Sequence, residues 1–103
     1  MSVITIDDET FTVEVHQSKI PVVLAFISDN KASGRMKDVL DELAQDLGGK
    51  VKVAQKKFEA TGLLEKNYDV QSAPTTLLIQ TETVVGQYSS DWFKNKIESS
   101  LNL

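Results

Sequence analysis

The stretch "FISDNKASGRMKDVLDELA", residues 26–44, decides the fold. Its first two residues end an apolar run, Val22 to Ile27, that is continuous rather than alternating. A run of that kind marks a strand buried on both faces, as in a sheet with helices on either side. Pro21 opens the run and forbids a helix from continuing into it. From Ser33 onward Met36, Val39, Leu40, Leu43 and Leu47 recur at helical spacing, with Lys37, Asp38, Asp41, Glu42 and Gln45 opposite. Gly48-Gly49 closes this helix. The junction between strand and helix is where an α/β protein places its ligands and reactive groups. Here the junction reads Lys31-Ala32-Ser33-Gly34.

Working outward, "SVITI" alternates weakly as a first strand, and Asp7 or Asp8 can cap a short helix through "ETFTVEVHQ", with Phe11 and Val15 on its inner face. "KVKVAQ" alternates as a strand, and a short helix is expected after Thr61, around Leu63, Leu64 and Tyr68. "TTLLIQ" is another strand, with a tight turn at Thr81-Glu82 into "TVVGQYS". Ser89 or Ser90 caps a last helix carrying Phe93, Ile97 and Leu101 four apart. The order βαβαβαββα predicts one α/β domain over residues 1–103, with a central mixed β-sheet flanked by helices on both faces.

Composition narrows the function. The 103 residues contain no cysteine, which removes disulfides, thiolate metal sites and thiol chemistry together. The single histidine, His16, reads as a surface residue at an exposed helix end, and no metal site or cofactor is expected. Fifteen acidic residues outnumber eleven basic ones, so the chain lacks the clustered positive charge that nucleic acid binding needs. The small clusters Lys56-Lys57 and Arg35/Lys37 read as solvated faces. No apolar run approaches a membrane span, and "MSVITIDDETF" is not built as a signal peptide, so a cytoplasmic protein is expected.

Phe26, Arg35-Met36, "LDELA" at 40–44, "GKVKVA", Tyr68-Asp69-Val70 and Ala73-Pro74-Thr75 stand in one order along the chain. That ordered set resembles the thioredoxin family. Its members carry a strand ending in Phe, then Trp-Cys-Gly-Pro-Cys-Lys/Arg-Met, a helix containing Leu-Asp-Glu-Ile/Leu-Ala, a Tyr-Gly-Val/Ile and a cis-proline motif. One residue is missing inside the helix, near the proline that kinks it in the family. The resemblance implies the thioredoxin fold and a cis bond before Pro74.

The same resemblance implies that the redox apparatus is gone. Lys31 stands where the nucleophilic cysteine would be and Gly34 where the resolving one would be. Asn30 replaces the preceding tryptophan. Ala25 takes the place of the buried aspartate and Gln55 that of its lysine partner. A buried ion pair without a catalytic use is readily replaced by apolar packing. A binding or scaffold module that is not an enzyme is then expected. It would engage a protein or peptide partner, as a monomer, through Asn30, Lys31, Ala32, Ser33, Gly34, Ala73, Pro74 and Trp92. At Ala73-Pro74 two readings stay open: Ala73 pairs with an extended peptide as a short added strand, as family members do beside this proline, or the proline only turns the chain into its next strand. Gly86 is either a remnant of the family's docking loop or a mid-strand residue, and Trp92 either packs beside Phe93 or anchors an interface. Two alternatives stay open. One is a small-anion binder or enzyme using Lys31, Arg35 and the helix N-terminus; the other is an engineered or inactivated chain kept for its fold.

Overall fold

The computed structural model of the protein describes residues 3–80 and 83–88, with Ile97 and Ser99. Among these, β1 (Ile4–Thr5) is followed by a π-helical turn (Thr12–His16), β2 (Val22–Ile27), α1 (Lys31–Leu47), β3 (Lys52–Lys57), α2 (Leu63–Asn67), β4 (Thr75–Gln80) and β5 (Thr83–Tyr88). The strands form one sheet in the order β1-β3-β2-β4-β5. β1 and β2 run parallel to β3, whereas β4 runs antiparallel to β2 and β5 antiparallel to β4. The mixed α/β architecture read from the sequence is the one observed.

β2 is central, and all six of its residues are buried. Val23, Ala25 and Ile27 face α1, packing with Met36, Leu40, Leu43, Ala44 and Leu47 of that helix and with Ile97. Val22, Leu24 and Phe26 face the opposite way, onto Val15 of the π-helical turn and Phe11 at its start, and onto Leu64 and Val70 around α2. Two apolar layers thus explain why the sequence run is unbroken. Each large side chain of α1 that is fully buried contributes about 1.5–3 kcal/mol, and this burial holds the strand-to-helix junction in place. α1 ends at Gly48, followed by Gly49 at φ +91°, where an L side chain is strained.

Several local expectations shift. β3 begins at Lys52 and runs to Lys57, two residues beyond the predicted strand. Asp7 does cap the chain, its Oδ1 accepting from the N–H groups of Glu9 and Thr10 at 2.9 Å, but the turn it leads into is π-helical. Gly86 lies mid-strand, paired with Leu78 beside a register shift that bulges β5 at Val85. A Cβ there would collide with the Tyr88 ring, so the glycine serves the strand rather than a docking loop. The Thr81-Glu82 turn, the caps Ser89 and Ser90, and Trp92, Phe93 and Leu101 of the last helix lie outside the described residues. Ile97 is helical and buried.

Candidate functional site

α1 starts at Lys31, two residues before the periodicity that begins at Ser33, and Asn30 is its cap. Asn30 has extended backbone, φ −94° and ψ 167°, and its Oδ1 accepts from the Ser33 N–H at 2.7 Å. Asparagine suits this position because its short side chain reaches an otherwise orphaned helix donor. Its other end is also engaged: Nδ2 donates to the Ala73 carbonyl at 3.1 Å, 43 residues away. The Ala73–Pro74 bond is cis. One side chain therefore caps the helix and ties it to the cis-proline loop.

Lys31 is the first residue of α1 and is exposed, with no ion pair among the described residues. Gly34 is also exposed, with open space where a Cβ would stand, so no tight bend requires a glycine there. Ser33 is fully buried, and its Oγ accepts from the Ser28 N–H at 3.0 Å. It braces the junction from inside, which removes it from the contact surface expected of it. Asn30, Lys31 and Gly34 are exposed, and Ala32, Ala73 and Pro74 are half-buried beside them. The structure brings these six together; Trp92 lies outside the described residues.

The expectation of an anion site at this helix end loses its support. The N–H of Ser33 is taken by Asn30 Oδ1 and that of Gly34 by the Asn30 carbonyl at 3.1 Å. Two of the backbone donors at this helix end are thus already bonded within the protein.

Beneath the junction, Ala25 and Gln55 are register partners on β2 and β3, on the face covered by α1. Ala25 is wholly buried and apolar, and Gln55 Nε2 donates to Thr5 Oγ1 at 3.2 Å. On the neighbouring strand Thr76, opposite Ala25, donates to Met36 Sδ at 2.9 Å. None of the three register neighbours Ala25, Gln55 and Thr76 is a titratable side chain that could move a proton.

The opposite face carries the charge that sequence reading missed. Lys56 is 2% exposed, not solvated as expected. Its Nζ donates to Glu65 Oε2 at 2.8 Å, with Glu59 at 3.6 Å, Asp8 at 3.8 Å and the Phe26 ring at 5.9 Å. Burial pushes the Glu65 carboxyl up, but the hydrogen bonds from Lys56 and from the Glu59 N–H (2.7 Å) outweigh it and hold it below its ordinary value. Gly62 packs so closely on that carboxylate that a Cβ would strike it. His16 is likewise not a plain surface residue. It is half-buried, edge-on to Phe11 at 4.8 Å and within 3.4 Å of the Tyr68 hydroxyl. Among the described residues no cluster of His, Asp and Glu could hold a metal ion, and no helix is long and apolar enough to cross a membrane.

Comparison with known proteins agrees with this frame. The thioredoxin family model matches residues 2–102. The chain is similar to the thioredoxin of Haemophilus influenzae, 32% identical over 101 residues that cover 97% of this chain and 94% of that protein. It is 30% identical to thioredoxin 1 of Synechococcus elongatus, covering 93% and 94%. It is 29% identical to the thioredoxin of Rickettsia bellii, covering 89% and 96%. The sheet order, the strand-to-helix junction, the cis-proline loop beside it and the match along nearly the whole chain carry one conclusion: this cysteine-free chain belongs to the thioredoxin family.

Proposed function

We propose that this protein is a redox-inactive member of the family that binds a protein or peptide through the rim of the former active site. The observation that carries the reading is a contrast. No thiol is present in the chain, yet Asn30, Lys31 and Gly34 remain exposed next to Ala73 and the cis bond to Pro74. Without a thiol no mixed disulfide forms on this chain, so its contribution at the rim is surface and hydrogen bonds alone. The relatives are named thioredoxins; the property carried over here is partner recognition, not electron transfer.

The Asn30–Ala73 bond defines how a partner would be held. The Ala73 carbonyl is occupied by Asn30, so a strand-like partner has the Ala73 N–H available and must displace Asn30 to use the carbonyl. In this reading the protein acts as a monomer in the cytoplasm, without nucleic acid, membrane or cofactor. Capture of partners from native lysate by the immobilised chain, with Pro74→Ala as control, supplies candidates. Amide shift mapping with the captured partner then tests the surface. Changes at Asn30, Lys31, Gly34 and Ala73 are expected, and changes confined to the face around α2 would sink the assignment.

A further inference from the structure

On the other side of β2 from Ala73, a cleft of about 380 Å³ opens between the C-terminal end of β3 and the first turns of α1. The alternation of β3 builds it. Val53, Gln55 and Lys57 project on the α1 side, and only Val53 joins the packed layer there. Ile27 and Phe58 supply apolar wall, Gln55 and Thr5 hydrogen-bonding groups, and Lys37 comes across from α1. Lys37 and Lys57 are both exposed, and neither makes an ion pair among the described residues. Among the described residues, Asp29 is the one acidic residue lining the cleft.

We propose that this cleft binds a small aromatic carboxylate. The volume lies in the range of small-molecule sites, which pair apolar walls with a few polar groups that fix orientation. Two ammonium groups against one carboxylate leave a net single positive charge in a chain of net charge −4. That balance favours a monoanion over a phosphate dianion, because Asp29 opposes a second negative charge. Lysine, a point charge without the fork of arginine, needs no particular anion geometry. The apolar wall of Ile27 and Phe58 selects a flat ring to accompany the charge.

The probe is 2-naphthoate, titrated into the ¹⁵N-labelled full chain, with 2-naphthylmethanol as the uncharged ring. Saturable shifts are expected at Thr5, Ile27, Gln55 and Phe58, with the alcohol weaker by about fivefold, the upper scale of one exposed ionic contact. Lys37→Glu and Lys57→Glu each weaken naphthoate by a similar factor, and Asp29→Asn tightens it. All three positions are exposed, so the variants keep the fold, which unchanged shifts elsewhere verify. Equal binding of the alcohol, shifts centred on Asn30 to Gly34, or no saturation at millimolar ligand would overturn the proposal. No protein partner enters the experiment, so its result is independent of the rim reading.

Discussion

Asn30 uses both ends of its amide, and no other common capping residue can. Ser, Thr and Asp offer an acceptor to the helix but lack the N–H₂ that reaches Ala73. Substituting Asn30→Ala should cost about 1 kcal/mol through the lost cap and should also release the Ala73 carbonyl. Asn30→Asp separates the two roles, since it caps α1 yet sets a carboxylate beside that carbonyl. The expected outcome is a urea midpoint lowered mainly in the alanine variant, with the ¹³C shift of the Ala73 carbonyl displaced in both. An unmoved Ala73 shift would mean that the bond does not persist in solution. The emptied positions behave differently. Lys31 and Gly34 are exposed, and neither takes part in the core.

At the scale of elements, β3 and α2 are joined by charge where the rest of the sheet is joined by apolar packing. Lys56 is enclosed with Glu65, and Glu65 Oε2 also accepts from the Glu59 N–H. Lys56→Met removes the cation and leaves a buried carboxylate without its partner, a change that costs about 3–5 kcal/mol. The double variant Lys56→Met, Glu65→Gln removes both charges while keeping an acceptor for Glu59, and should recover most of that loss in urea unfolding. If the double variant is no more stable than the single one, packing rather than charge holds the pair. This element also shows what sequence can carry. The β2 run and the α1 periodicity made the sheet and its main helix legible, because each depends on neighbours within one or two turns. Lys56 reads as solvated from its neighbours in sequence because its surroundings come from Glu65, nine residues on, and from Asp8. Asn30 stands among the partner-contact residues that the resemblance implies, but its bond to Ala73 spans 43 positions and leaves no local trace. Asp69 offers a milder case. It has φ +54°, a left-handed conformation that the family's glycine adopts without strain and aspartate tolerates.

For the whole molecule, acid is the condition that tests these arrangements together. Glu65 is held below its ordinary value of 4.5, and Asp7 is held below 3.8, chiefly by the hydrogen bond from the Thr10 N–H. Between the folded and unfolded values of each group the unfolded chain binds the extra proton, so stability falls as pH falls. The contribution is complete above the ordinary values, begins to fade near pH 5, and is lost once pH drops through the folded values. Asp7 is solvent-exposed and adds little, so the buried Glu65 dominates. Urea unfolding followed from pH 7 to pH 3 should show a declining midpoint below about pH 5. Lys56→Met, Glu65→Gln should flatten that decline, since position 65 no longer titrates. A decline of unchanged steepness in the double variant would assign the acid sensitivity away from Glu65.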